Sequence, residues 1–399
     1  MGGVVMGQLA DIIVVGAGVM GASIAHALAE RQFGQVVVVE QTALAAAATG
    51  QSSGVLRCHY GIPVLAKMAN QGLSWFKHAK AQYGVDVGYR GIGYLVGAGP
   101  DDEEAFRSNI AMQQALNIRT NLMLPHEAKE LWPDMEVSDF AIMAYEPEGG
   151  VADPTLTATA FYEMGKQLGV RYQFGQPVTQ LLTQGDRVIG VEMADGSRWM
   201  ANVVIVAAGT NTPGLFDPLG IEVPIRAQRA QLMLINPGVN VGKRPVFSDL
   251  VQLQYGRSEV NGTLLIGNSD HRDPEWVSKG PCPQGVTDDF VQRAIERLMH
   301  RFPRWEGAQF LGGYSGCYEV TPDYNPIIGP SPNSGLYIAA GFSGHGFKLS
   351  PVIGPMMAEI LNAGNRYPSL ESYVFRLSRF EEHDLLKSQY AYGKAGQMR

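Results

Sequence analysis

Cysteine is scarce: the 399 residues hold three, Cys58, Cys282 and Cys317. That is too few, at spacings too wide, for a disulfide framework or a zinc site, and no metal is expected. Unpaired thiols fit a reducing compartment, so the expected location is cytoplasmic. A basic surplus is lacking as well, since 31 Lys and Arg stand against 38 Asp and Glu for a net charge of −7. Nucleic-acid binders and proteins held on anionic membranes show the opposite balance, and neither class is expected. A long apolar run is missing too. The most apolar early stretch, residues 12–28, is broken by Gly16, Gly18, Gly21 and His26, so no membrane insertion is expected. No basic segment leading into an apolar one opens the chain, which gives no reason to expect a secretory signal. Repeats and low-complexity tracts are not evident. What is present is an apolar fraction of 45% and 48 glycines. That apolar content excludes a disordered chain, and the length provides for a large core and more than one domain.

The first forty residues carry the clearest chemistry. Ile12, Ile13, Val14 and Val15 form a continuous apolar run, the pattern of a strand buried on both faces in a parallel sheet. Gly16-Ala17-Gly18-Val19-Met20-Gly21 follows at once, then an alanine-rich helical pattern over residues 22–30, then a second strand, 36–39, ending at Glu40. Glycine allows the tight turn, the approach of a pyrophosphate and the close packing of helix on strand. The helix N-terminus offers N–H groups and a favourable dipole to phosphates. Glu40, at the end of the second strand, is suited to accept from a ribose diol. The loop alone does not decide between NAD and FAD.

Downstream, residues 155–168 read as a helix and 171–174 and 178–183 as strands, with a hairpin-like turn at 194–197 between strands 188–192 and 198–201. Residues 203–206 form another buried run ending in Ala207, Ala208 and Gly209, expected to return to the first sheet and bring Ala208 and Gly209 to the cofactor. Residues 84–144 and 221–310 carry mixed strand and helix patterns and are assigned to a second domain. Near the C-terminus an apolar strand, 335–340, leads into Gly341-Phe342-Ser343-Gly344-His345-Gly346-Phe347-Lys348-Leu349-Ser350-Pro351, and a helix is expected over 353–361. Two strand–glycine turn–helix units at opposite ends of one chain point to one extended ligand that touches both.

Taken together, GAGVMG with Glu40, the VVIVAAG strand, Thr321-Pro322-Asp323 with Pro326-Ile327-Ile328-Gly329, and GFSGHGFKLSP resemble the D-amino-acid-oxidase superfamily of FAD enzymes. Within it the chain is similar to sarcosine oxidases, both monomeric and heteromeric β subunits, and to glycine oxidase and the proline and dimethylglycine dehydrogenases. The resemblance implies FAD rather than NAD. It also implies an α/β fold: a Rossmann-like FAD-binding domain with a parallel sheet (1–83, 145–220 and 311–399) and a substrate domain with a mixed, largely antiparallel sheet (84–144 and 221–310).

Carried over residue by residue, the resemblance assigns Gly16, Gly18 and Gly21 to the pyrophosphate, Glu40 to the adenosine ribose and Val178 to the adenine, with Val19, Met20 and Gln41 also expected among the cofactor-binding residues. It brings Gln51, Ser52 and Ser53, with Gly344, His345 and Gly346, to the flavin, and Ala208, Gly209 and Gly316 are expected to bind the cofactor too. Arg57 and Lys348 would bind a substrate carboxylate, Lys348 also reaching the flavin site, while His59, Tyr60 and Tyr255 complete the candidate catalytic set. One guanidinium and one ammonium from opposite ends of the chain would clamp a carboxylate so that the reacting C–H faces the flavin. His59 and Tyr60 read equally as packing residues, His271 reads as a solvated loop histidine, and Tyr255 and Arg257 are expected on a strand. Cys58 and Cys317 read as small buried hydrophobes, the five tryptophans as core, and 376–387 as a solvated helix face.

Two departures from the family matter. Where monomeric sarcosine oxidases carry the cysteine that attaches the flavin, two residues before the tyrosine matching Tyr318, this chain has Gly316, and non-covalent FAD is predicted. Leu265 stands where those oxidases have a lysine near the oxygen-reacting face, which leaves oxidase and dehydrogenase both open. The expected activity is FAD-dependent oxidation of the C–N bond of a small amino acid or amine, secondary or N-methylated. Oxygen or an electron-transfer partner would take the electrons. The alternatives are a primary-amine enzyme resembling glycine oxidase and an FAD-holding subunit that works only with partner chains.

Overall fold

The computed structural model describes residues 8–278, 280–364 and 366–393. The ends of the expected outer segments, 1–7 and 394–399, lie outside the described residues. Among those described, a six-stranded sheet has Ile12–Val15 in its interior, parallel to Val36–Val39 on one side and to Val203–Val206 on the other. Leu336–Ala340 continues the parallel set, and Ile327–Pro330 closes the edge antiparallel. The apolar runs have a direct cause. Ile12, Val14, Val36 and Val38 face a cluster of helices, while Ile13, Val15, Val37 and Val39 face the strands Val178–Gln184, Arg187–Met193 and Arg198–Met200. Both faces are covered, so alternation with polar residues is not required.

The larger sheet has nine strands and is antiparallel except where Val246–Asp249 runs parallel to Tyr94–Ala98. Its longest pair is Arg226–Asn236 with Gln309–Val320. The expected boundary at 310/311 falls inside Gln309–Val320, and that at 144/145 falls inside Ile142–Glu146. The mixture of one parallel and one largely antiparallel sheet is the fold class expected from the sequence.

Helix Val19–Glu30 packs against Pro154–Gln167 and Gly346–Asn362. A Cβ at Gly354 would run into the Ser23 carbonyl, so its absence permits that closeness. Helix Pro154–Gln167 starts as its sequence dictates: Asp153 accepts from the N–H groups of Thr155 (2.8 Å) and Leu156 (2.9 Å), with Pro154 in the first turn.

Three expectations are corrected. The last long helix begins at Gly346, not 353, so the second half of GFSGHGFKLSP is helical. Pro351 is tolerated inside it because the Phe347 carbonyl, which a proline cannot bond, accepts the Ser350 hydroxyl at 2.8 Å. Residues 376–387 are not a solvated helix face. Arg379 is fully buried on Asp323 (2.8 Å), and Arg376 is buried on Glu382 and Asp384, so the mixed charges neutralise one another against the body of the fold. Trp132, Trp199 and Trp305 are core, but Trp276 is exposed beneath the Arg226 guanidinium, 3.9 Å from the ring centre.

Candidate active site

The first glycine turn owes its shape to two contacts. Gly16 has φ +105°, and a side chain there would meet the Ala207 carbonyl of the neighbouring strand. A Cβ at Gly21 would collide with the Gly16 carbonyl oxygen, so helix and turn can close only on glycine. Helix Val19–Glu30 has no acidic residue in its first turn and no side-chain cap at Gly18. The Val19 N–H donates to Thr49 Oγ1 at 3.0 Å, and the positive end of the helix is left for an anionic group. Glu40 is fixed at the end of its strand: Oε2 accepts the Ala17 N–H at 2.8 Å and Oε1 the Thr42 N–H at 2.9 Å. A carboxylate oxygen has further acceptor capacity, so a ribose diol suits this position.

From that helix end a cleft of about 740 Å³ runs between residues 48–53, the strand around Gly316 and the turn at 342–347. Val19, Met20, Gln51, Ser52, Ser53 and Gly316 line it, as do Gly344 and Gly346. The two glycine turns are therefore on one cavity, as one extended ligand requires. Ala208 and Gly209 follow the neighbouring strand, and Gly209 approaches Glu319. Gln41 is exposed beside Glu40, and Val178 is half-buried at the start of its strand. His345 is buried behind the turn with its ring edge on Tyr60, 5.3 Å between centroids. The cradle closed to side chains, the uncapped helix end and the anchored carboxylate suit the pyrophosphate and ribose of a dinucleotide.

Behind the cleft lies a buried charged cluster. The Arg57 guanidinium is 4.4 Å from the centre of the Tyr60 ring and Lys348 Nζ 5.8 Å from the same point. Both residues are more than nine-tenths buried. The two cations expected to act together are thus brought together, though neither lines the cleft itself. Burial, reinforced by Arg57, pushes Lys348 well below its usual range and favours the neutral amine. Glu146, which ends an otherwise apolar strand, accepts the Cys58 N–H at 2.8 Å. Burial raises its carboxyl to about 7, against the pull of that N–H and of Arg57. Arg57 also donates to the His59 carbonyl.

The remaining candidates divide. Tyr60 is fully buried and pushed up to about 12 by burial. His59 is packed against Phe106 and stacked on Tyr392, with Nε2 2.8 Å from the Tyr392 hydroxyl. Burial and Arg57 lower it to about 3, so it is a neutral packing residue at ordinary pH. Tyr255 hydrogen-bonds Ser53 and Tyr318, and Tyr318 lines the cleft. Arg257 is on the same strand, paired with Glu259 at 2.6 Å and donating to the Ser53 carbonyl. His271 is hydrogen-bonded to Gln228 at 3.3 Å, and Leu265 is core.

Cys317 is not an isolated buried thiol. It lines the cleft and is bridged to Cys282, with 5.8 Å between their Cα atoms. The two are 35 residues apart in sequence, but the loop before helix Asp288–Arg301 folds back on strand Gln309–Val320. A reducing compartment therefore loses the support that unpaired cysteines lent it.

Four residues escaped the sequence reading. Thr49 precedes the Gln51–Ser53 loop and Tyr318 follows Gly316 by two residues, and neither was given a role. Glu146 carried a signal, a lone carboxylate at the end of Ile142-Met143-Ala144-Tyr145. Glu319 gave none; it lines the cleft, raised to about 7 by burial against the N–H groups of Gly341 and Phe342.

The family model for FAD dependent oxidoreductases, DAO, matches residues 11–360. The chain belongs to this family. Its cofactor is FAD, which resolves the choice that the glycine loop left open. The chain is 27% identical over 396 residues to 4-methylaminobutanoate oxidase (formaldehyde-forming) of Paenarthrobacter nicotinovorans, with 93% of this chain but only 46% of that protein covered. It is 25% identical over 394 residues to the sarcosine oxidase subunit beta of Rhodobacter capsulatus, covering 96% and 92%. The crystal structure of L-proline dehydrogenase from P. horikoshii superposes with a TM-score of 0.87 at 26% identity, over 96% of this chain and 100% of that one. Among the described residues no helix is long and apolar enough to cross a membrane.

Proposed function

We propose that this chain oxidises the C–N bond of a small amino acid or amine, secondary or N-methylated. The observation that carries this reading is the convergence of Arg57 and Lys348 on the Tyr60 ring, directly behind the cleft. Gly16, Gly18, Val19, Met20 and Gly21 would hold the pyrophosphate of FAD, Glu40 its ribose, and residues 51–53, Gly316, Gly344 and Gly346 its flavin end. Bound there, FAD supplies a two-electron acceptor for the hydride of the substrate C–H, leaving an imine that water hydrolyses to a carbonyl compound and an amine.

The chain's own groups supply binding and proton control. Arg57 stays cationic and takes one face of the substrate carboxylate. Lys348, biased to the neutral amine, accepts a proton as that carboxylate arrives, because a nearby anion favours the charged form. A zwitterionic amino acid carries such a proton on nitrogen, and hydride leaves more readily from the neutral amine. The pair thus binds the substrate and favours its reactive form. Tyr318 lines the cleft, and Tyr255 buttresses it by a hydrogen bond from behind. Gly316 and the bridged Cys317 offer no free thiol, in keeping with non-covalent FAD.

Similarity to a subunit beta favours a second reading, an FAD-holding subunit that passes electrons within an assembly. Anaerobic titration of the flavoprotein with sarcosine, L-proline and glycine tests both. Bleaching by the first two but not by glycine is expected, and air then separates oxidase from dehydrogenase. Bleaching by glycine alone favours the primary-amine reading. An unmoved flavin overturns catalysis by the isolated chain and leaves the subunit reading.

A further inference from the structure

The larger sheet has a second polar site, on the face turned away from Tyr255. Strand side chains alternate, so Tyr255 faces Ser53 and Tyr318 while its neighbour Gln254 points to the other side, under helix Asp288–Arg301. Gln254 is 1% exposed, and neither its Nε2 nor its Oε1 has a hydrogen-bond partner. A primary amide left so carries a desolvation cost on both its donor and its acceptor.

Its two neighbours across the ladder are satisfied. In the ladder Gln254 stands between Asp249 and Asn268. Asp249 is bonded to Arg301 at 2.7 Å, and Asn268 accepts from Arg297 at 2.9 Å. Only the middle amide is open, and it lines a surface cleft of about 430 Å³. Both signs of charge ring the cleft. Asp270, held to about 2 by its bond to Arg272, pairs with Arg297 at 3.1 Å; Asp273 and Arg293 also line the cleft, Arg293 paired along its helix with Asp289 at 2.5 Å.

We propose that this cleft is a second, non-catalytic site for a small zwitterionic amino acid. The ammonium and carboxylate of such a ligand are adjacent, and a primary amide presents the complementary pair: Nε2 donates to the carboxylate and Oε1 accepts from the ammonium. Arg293 and Asp273 add a charge of each required sign. A purely anionic or cationic ligand leaves half of the amide unmatched. The site is on the sheet face turned away from Tyr255 and shares no lining residue with the flavin cleft.

Equilibrium dialysis of the flavin-loaded protein against labelled glycine, under nitrogen, tests this independently of turnover. The parent protein should bind one equivalent more than Gln254→Leu, with the flavin content and absorption spectrum of the two alike. Asp273→Ala alters an exposed position and should weaken that same equivalent about tenfold or more, so the test survives if Gln254→Leu does not fold. Acetate, which lacks the ammonium, and glycine betaine, which lacks its N–H donors, should fail to displace it. Equal binding by parent and both variants, or no glycine bound beyond the flavin cleft, overturns the proposal. If the proposed oxidation itself fails, this stoichiometry is unaffected.

Discussion

Glu146 accepts the backbone N–H of Cys58 at 2.8 Å, tying a buried carboxyl to the residue that follows Arg57. Burial raises that carboxyl to about 7 from an ordinary 4.5. The folded chain therefore binds the proton more tightly than the unfolded chain. Between about pH 4.5 and 7 the folded form carries more protons, so stability is fully present below that window and falls as pH rises through it. The loss is roughly 3 kcal/mol at most. Glu319, raised to the same region, adds a contribution of the same sign.

Glu146→Gln keeps an acceptor for the Cys58 N–H and removes the titration. Melting temperature measured from pH 5 to 8 should fall less steeply in the variant, with the residue of the slope belonging to Glu319. Identical slopes would show that Glu146 is already ionised in the folded chain at pH 5.

The two cations make separable predictions. Arg57→Ala removes a fixed charge, and Lys348→Met removes an amine that burial holds neutral until an anion arrives. A charge-assisted contact is worth about 1.5–3 kcal/mol, so each variant should raise KM for an amino-acid substrate roughly 10- to 100-fold while FAD stays bound. In Lys348→Met the dependence of KM on pH should also change, since the proton acceptor is gone. Steady-state kinetics from pH 6 to 9 decide it. Unchanged KM in both variants ends the carboxylate role.

How far the sequence could be read depended on whether the signal was local. Ile12–Val15 and Gly16–Gly21 were legible because a doubly covered strand and a closed glycine turn leave their marks within ten residues. Cys282 with Cys317, and Arg379 with Asp323, were not. Each pairing joins segments that only the folded sheets bring together, and a buried ion pair looks in sequence like two surface charges. Glu319 was hidden for a related reason: it acquires its character from burial in the folded chain, against the N–H groups of a turn at 341–342 that is distant from it in sequence. The helix start at Gly346 was missed because Pro351 normally argues against a helix, and a hydroxyl one residue before it offsets the lost bond.

Gly316 has no side chain, and a Cβ there would press on Gln51 at 2.8 Å. Cys317 is committed to Cys282, and Cys58 is buried beneath Arg57 with its thiol pushed well up by burial, away from the reactive thiolate. With no free thiol at the cleft, non-covalent FAD is the expected outcome, held by contacts of the kind proposed at Gly16, Gly21 and Glu40. Acid precipitation should therefore leave a colourless pellet and a yellow supernatant. Glu40→Ala, which loses both the ribose acceptor and the anchor on the Ala17 N–H, should retain less flavin than the parent after dialysis, read from the ratio of visible to ultraviolet absorbance. A yellow pellet would require a bond to the protein, and undiminished flavin in Glu40→Ala would remove this carboxylate from the cofactor site.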